Sequence, residues 1–351
     1  MNKVGSLCIE STKKPNAQRH VGRIPSVLAR LFNEVEIFNR SMEEIDGLIK
    51  ANPSVGLMPH YKAVCDTVNR LIGEMRRVEE SAVGFKEIIC NSRVLLRQLT
   101  GYWFYQSPLF AHTFYKPQGY PGDFLLMEKI YKNKPAGEGV GYLLDKQYLD
   151  SEGSCAIRSR REKISQMAVE HAQRLSRPVS IVDIGCGPCR VDENIISALG
   201  PDKFAEVLLV DQDKDALAFG KKVLSPWIDS HNVKFLERDL MRLLAGADLL
   251  KKNTFDIILC TGVYDYLYDE TFAKFLRYTW KMLKPQGTAI IAHCSPAYLN
   301  RTEREWVMDW VVHHRSEDEI KKIIEDADVG EARVNFTTDK TGTIVIFKIE
   351  K

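Results

Sequence analysis

The 351-residue sequence lacks any apolar run approaching the roughly 18 residues that a membrane span needs, and no apolar h-region of a secretory leader stands near its start. Those absences lead to the expectation of a cytoplasmic protein with no membrane span. An excess of one charge is also missing: 49 Lys and Arg stand against 47 Asp and Glu, a formal +2. That balance argues against nucleic acid as a partner, as does the lack of a basic patch interleaved with aromatics. Basic residues gather only at Lys3, Lys13, Lys14, Arg19 and Arg23, which read as a mobile tail over residues 1–23. The eight cysteines have no dense disulfide spacing and are expected to be reduced thiols. One Cys-x-x-Cys stands without a second, so no metal is expected. What is present is ordinary for a globular chain, 44% hydrophobic and 27% charged, and long enough for two cores.

From Ile24 to Gly101 the pattern is helical. Val27, Leu28, Leu31, Val35 and Phe38 recur at three- and four-residue steps, the spacing of one helix face. Asn52-Pro53, Gly56, Gly84 and Gly101 punctuate the region and predict three helices. Tyr102 to Gly153 is rich in aromatics and turn residues and reads as a functional connector, with a short helix such as Phe124 to Tyr131 as the alternative. The predicted domains are a helical lid or substrate domain over 24–153 and a second domain over 154–351.

In that second domain, after a helix from Ser154 to Leu175, short apolar segments alternate with helices. Strands are predicted at Val179–Asp183, Glu206–Asp211, Val233–Glu237, Phe255–Cys260 and Thr288–His293. Helices are predicted near Val191–Leu199, Asp213–Val223, Thr271–Leu283 and Ser316–Asp326. The alternation implies a parallel sheet covered on both faces. Arg333–Thr338 and Thr343–Ile349, separated by a turn containing Gly342, add an antiparallel C-terminal hairpin.

The turn Asp183-Ile184-Gly185-Cys186-Gly187 leaves an apolar strand and enters a helix. Small residues there let the backbone approach a ligand closely. Arg190 stands where the third small residue of a dinucleotide fingerprint would fall, which weakens an NAD reading. The next strand ends at Asp211, followed by Gln212, where an acid can accept from ribose hydroxyls. Asp239-Leu240 follows the third strand, and Thr261-Gly262 the fourth. Cys186-Gly187-Pro188-Cys189 also spells a redox pair, which leaves Asp211 and Asp239 without a use. These segments, with Phe255-Asp256-Ile257-Ile258-Leu259 and Leu283-Lys284-Pro285-Gln286-Gly287, resemble successive motifs of class I S-adenosylmethionine (SAM)-dependent methyltransferases. The resemblance implies a Rossmann-like α/β sheet and SAM as cofactor. Gly185, Cys186 and Gly187 would lie under the methionine part, Asp183 would orient the loop, Asp211 and Gln212 would meet the ribose, Asp239 and Leu240 the adenine, and Thr261 and Gly262 would be further cofactor contacts.

Tyr264 and Tyr266, beyond the fourth strand, are candidates for the sulfonium face and for substrate contact, and His293 at the end of the fifth strand for a general base. Trp306 and Trp310, four apart, read as packing on one helix face. Tyr115 to Asp123, and Arg158-Ser159-Arg160-Arg161, resemble a bacterial family of extracellular-factor, 3-hydroxypalmitic acid methyl ester biosynthesis methyltransferases, with Ser159 where that family carries Asn. The turn there would present Tyr120 as a catalytic group and Asp123 to substrate, while Arg158 would hold substrate and Arg161 the cofactor. The expected function is a small-molecule methyltransferase acting on a carboxylate or hydroxyl, with a hydroxy fatty acid among the candidates. The alternatives are a SAM-consuming cyclase of the azetidine-2-carboxylate synthase type, which releases methylthioadenosine, and a non-catalytic SAM-binding scaffold. A homo-oligomer is left open.

Overall fold

The computed structural model describes residues 23–244, 252–298 and 300–351; the N-terminal tail before residue 23, with Cys8, lies outside them. The chain divides into two compact units. One comprises the described residues of 23–154 together with 300–311, and the other 155–298 with 312–351.

The first unit is helical. Its elements are α1 (Ile24–Ala51), α2 (Tyr61–Ser81), α3 (Lys86–Phe104), α4 (Pro108–Tyr115), α5 (Phe124–Lys132) and α6 (Gly139–Asp150). α1 buries Leu31, Val35, Phe38, Met42 and Ile45, the stripe its spacing requires. Phe38 stacks on Phe104 of α3 at 5.0 Å, and Phe104 meets Phe110 of α4 at 5.1 Å. Asn52-Pro53 and Gly84 do separate the first three helices. Gly101 does not end one: it lies inside α3, where a Cβ would stand 2.8 Å from the Tyr105 ring.

The connector expected over Tyr102–Gly153 is largely helical. Ser107 caps α4 by accepting from the Phe110 amide, with Pro108 in the first turn. Asp123 caps α5 through the Leu126 amide. A short helix, α12 (Arg301–Val307), belongs to the same unit although it comes late in the chain. Its Trp306 indole donates to Glu79 at 2.7 Å, Thr302 donates to the same carboxylate, and Glu305 pairs with Arg93 and Arg301. Asp309, at φ +51, breaks the helix, so Trp310 does not continue the face of Trp306.

The boundary between the units falls within α7 (Glu152–Arg174). The second unit is a seven-stranded sheet in the order β3-β2-β1-β4-β5-β7-β6. Its strands are β1 (Val179–Ile184), β2 (Phe204–Asp211), β3 (Val233–Glu237), β4 (Phe255–Cys260), β5 (Leu283–Cys294), β6 (Arg333–Thr338) and β7 (Ile344–Glu350). The first five run parallel; β7 lies antiparallel to both β5 and β6. β1 and β4 are buried throughout, which is why they read as largely apolar runs rather than as alternating ones. The intervening helices are α8 (Arg190–Ala198), α9 (Lys214–Val223), α10 (Leu240–Leu244), α11 (Asp269–Met282) and α13 (Glu317–Asp326), the last closed by a Ser316–Glu319 capping box.

Polar groups fix both ends of the sheet. At the start of the parallel strands Asp256 accepts from the Ser180 amide and from Lys284, and pairs with Arg177 at 2.5 Å. Asp256 and Lys284, both within the motif segments, are therefore structural. Between β6 and β7, Asp339 accepts from the Thr341, Thr343 and Ile344 amides and from Ser159 Oγ of α7. Ser159, the departure from the expected arginine-rich run, thus anchors the hairpin turn.

Candidate functional site

Parallel order brings the carboxyl ends of β1, β2, β4 and β5 to one edge, where open α/β sheets bind ligands. β1 leaves the core into Gly185, at φ +76, and Gly187, at φ +52. The Gly185 amide donates to Val210 O of β2 at 2.8 Å, so the turn folds back on the neighbouring strand. A Cβ on Gly185 would stand 2.5 Å from Val263, whereas one on Gly187 would meet nothing within 4 Å. The first glycine is required by packing. The second leaves open space above the turn.

Asp211 ends β2 beside this loop. One carboxylate oxygen accepts from the Gly187 amide at 2.9 Å and the other from Asp213 at 3.0 Å. Burial, the largest influence, raises its pKa against these bonds. The Gln212 amide also favours its ionised form, and since a carboxylate has about four acceptor positions, capacity for a hydroxyl remains. Gln212 beside it is exposed, as is Asp239, which turns the chain into α10 by accepting from the Met241 amide. Leu240 packs half-buried against the sheet core. Beyond β4, Thr261 is buried, Gly262 half-buried and Tyr266 exposed. Glycine loop, Asp211, Asp239 and the Thr261-Gly262 turn thus occupy the ends of adjacent strands.

Tyr264 and His293 are corrected. Tyr264 is fully buried between Phe272 and Phe275, 4.4 and 5.0 Å away, and its hydroxyl meets Thr279 at 3.3 Å. It is a core side chain with no ring face left for a sulfonium. His293 is equally buried. Arg315 donates to its Nε2 at 2.7 Å, and Asp265 lies 2.6 Å from its Nδ1. Guanidinium only donates, so Nε2 accepts and the ring proton sits on Nδ1. With both nitrogens committed, His293 is a structural link and not a free base. Burial alone would raise Asp265, but His293, the Cys294 amide and the charge of Arg160 outweigh it and hold the carboxyl down to about 2.

The remaining candidates separate. Tyr120 sits half-buried in the turn between Gly119 and Gly122, both at positive φ, in the helical unit. Asp123 is corrected from substrate binding to structure: it is buried, caps α5 and contacts His112 Nε2 at 2.8 Å. Arg158 and Arg161 lie half-buried on α7 in the sheet unit, the former reaching Cys155 Sγ at 3.2 Å. Cys186 and Cys189 are buried free thiols. Hydrogen bonding to Cys189 and burial push Cys186 well up, and Cys189 is raised as well, burial outweighing its bond to Cys186. Protonated, enclosed thiols are poor redox nucleophiles. Cys90, by contrast, is disulfide-bonded, a correction to the expectation of reduced thiols throughout.

Sequence reasoning missed three residues near this edge. Arg315 is buried and bridges His293, Asp269 and Leu267 O. His313 meets the Tyr268 ring edge-on at 4.9 Å, and burial, then Arg315, lowers it to about 4. Asp192, in the first turn of α8, is buried beneath the glycine loop. An acid in a helical first turn is common for dipole pairing alone, so nothing in the sequence sets Asp192 apart, and no motif marks the other two.

A seven-stranded sheet of this order, with a glycine turn after β1 and an acid ending β2, defines the Rossmann-like methyltransferase fold. Residues 122–349 match the family described as "Putative methyltransferase", and the chain belongs to that family. Over 131 residues it is 32% identical to an uncharacterized protein of Rickettsia prowazekii, covering 36% of this chain and about half, 48%, of that protein's length. Among solved structures it is similar to CurJ carbon methyltransferase, with TM-score 0.51 and 12% identity over 95% of this chain and 97% of that one. It is also similar to a Bordetella parapertussis protein described as a possible exported protein, with TM-score 0.53 and 13% identity over 65% and 79% of the two chains. At these identities the structural likeness speaks to fold.

Proposed function

We infer that this protein is a class I SAM-dependent methyltransferase acting on a carboxylate-bearing small molecule, with a hydroxy fatty acid as the favoured acceptor. The observation that carries the reading is Asp211, poised at the end of β2 with its carboxylate bound to the glycine-loop amide and acceptor capacity to spare.

In this reading Gly185, Cys186 and Gly187 hold the amino-acid part of the cofactor, Asp211 and Gln212 the ribose, and Asp239 and Leu240 the adenine. The open space over Gly187 fits close approach of a ligand to the backbone. Thr261, Gly262 and Arg161 add contacts to the cofactor, while Tyr266 borders the acceptor side and Arg158 supplies a cation for a carboxylate. The cofactor brings a methyl group on a sulfonium, an electrophile that needs alignment more than activation. A hydroxyl acceptor needs a base to remove its proton, whereas a carboxylate does not. The engagement of His293 by Arg315 and Asp265 therefore favours the carboxylate. The likeness of Tyr115 to Asp123, and of the arginines on α7, to the extracellular-factor methyltransferases supports the same acceptor class. Tyr120 keeps its place as a catalytic candidate, tested by Tyr120→Phe.

Incubation with methyl-labelled SAM and a panel of fatty and hydroxy fatty acids, read by mass spectrometry, is expected to yield labelled methyl esters. Methylthioadenosine released from SAM alone would overturn methyl transfer in favour of a cyclase. Tight SAM binding with no product from any acceptor would favour a scaffold.

A further inference from the structure

The glycine loop is closed at its base by two acids. Asp183, the fifth residue of β1, and Asp192, in the first turn of α8, stand at its two ends, and both side chains are 1% exposed. Neither oxygen of Asp192 has a well-formed hydrogen bond, nor does Oδ1 of Asp183, yet each carboxyl lies within hydrogen-bonding reach of the other. Two ionised carboxylates are acceptors only and repel one another. They can bond if one carries a proton.

We propose that Asp192 is a positioning residue for the cofactor loop, a buried carboxylic acid that keeps its proton near neutral pH and donates it to Asp183. This deepens the methyltransferase reading and rests on it. The groups facing the pair decide which acid is protonated. Arg160 from α7 favours the ionised form of Asp183, and the Ile184 amide acts in the same direction. Asp211 from β2 opposes a second charge there, and the facing thiols, Cys186 and Cys189 of the loop and Cys260 of β4, are uncharged. Among the described residues no cation stands with the chief influences on Asp192. Burial foremost, then the Asp183 charge, raises it well above the ordinary carboxyl range, while burial foremost pushes Asp183 up to about 7. The bond ties the end of β1 to the start of α8, so the backbone between them, which carries Gly185 and Gly187, is held from below.

The protonation state gives the arrangement a signature that plain packing lacks. Carboxyls whose pKa is raised on folding stabilise the fold fully below their unfolded pKa, and the contribution fades as pH rises through the folded value. Wild-type melting temperature should fall as pH rises from 5 to 8. Asp192→Asn keeps a donor but cannot ionise, so its profile should be flatter.

The deciding experiment combines that profile with calorimetric titration of S-adenosylhomocysteine at pH 6 and pH 8 into wild type, Asp192→Asn and Asp192→Ala. The Asn variant should bind within about threefold of wild type and the Ala variant about tenfold or more weaker, the difference one charge-assisted hydrogen bond makes. Asn and Ala variants equally weak, or Asn and wild-type melting profiles that run parallel, would overturn the proposal. Should the Ala variant not fold, the Asn variant and the melting profiles still decide. Wild type that binds no S-adenosylhomocysteine at either pH removes the methyltransferase reading, and Asp192 then has no cofactor loop to position. The melting profiles alone still report whether the acids share a proton.

Discussion

The Gly187 amide donates to Asp211 Oδ2 across 2.9 Å, joining the turn after β1 to the end of β2. That bond sets an acid beside the bare backbone of Gly187, and it makes the turn and the acid one unit. The two glycines of the turn do different work within it.

Gly185 is packed against Val263 and left-handed, while Gly187 is left-handed in open space. Gly185→Ala should destabilise the fold by about 2–4 kcal/mol, combining backbone strain and overpacking, and Gly187→Ala by about 1 kcal/mol. Urea denaturation of both variants checks the order. Equal losses would contradict the packing role of Gly185.

Tyr264 contributes to the core and not to the chemistry. Tyr264→Phe should leave turnover within about twofold of wild type, since it removes one hydroxyl contact to Thr279. Tyr264→Ala should cost about 3–5 kcal/mol of stability by opening a cavity between Phe272 and Phe275. A large fall in kcat for the Phe variant at unchanged stability would return Tyr264 to the active site.

The Asp265–His293–Arg315 link predicts a particular acid sensitivity. The Asp265 carboxyl is held down to about 2 in the fold, against about 3.9 when unfolded. Its stabilisation is therefore present above about pH 4 and lost as pH falls toward 2. Asp265→Asn should show a shallower loss of stability across that window, measured by denaturation at stepped pH. Arg315→Ala should cost about 1–3 kcal/mol, because it leaves the buried His293 Nε2 and Leu267 O without their donor.

Asp339 collects three backbone amides and Ser159 Oγ at the β6–β7 turn. Ser159→Ala should lower stability by about 1 kcal/mol, and Asp339→Ala, which orphans several donors, by about 2–3 kcal/mol. Thermal melts that rank the two the other way would refute the hub.

The sheet was legible because its strands carry their burial in composition. Val179–Ile184 and Phe255–Cys260 are apolar runs with acids at telling positions, and the alternation with helices left few topologies. The region from Tyr102 to Gly153 was harder. Its helices are short, so their stripes span barely two turns, and the clearest local signals were the caps Ser107 and Asp123. The site was legible where chemistry is local, as at Gly185, Gly187 and Asp211. It was illegible where the partner is distant in sequence. His293 at a strand end resembles a base until Arg315, twenty-two residues on, is seen donating to it. Tyr264 follows a strand just as an exposed site residue would, and only the packing of α11 shows which way it faces. Asp123 sits in a conspicuous glycine-flanked turn because it caps a helix.

The central claim is that the Asp211-braced turn binds SAM. Isothermal titration of SAM into the wild-type protein and Asp211→Ala tests it most directly. One site per chain in the wild type, with affinity about tenfold or more weaker in the variant, is the predicted result. No heat of binding in the wild type, or equal affinity in both proteins, would contradict it.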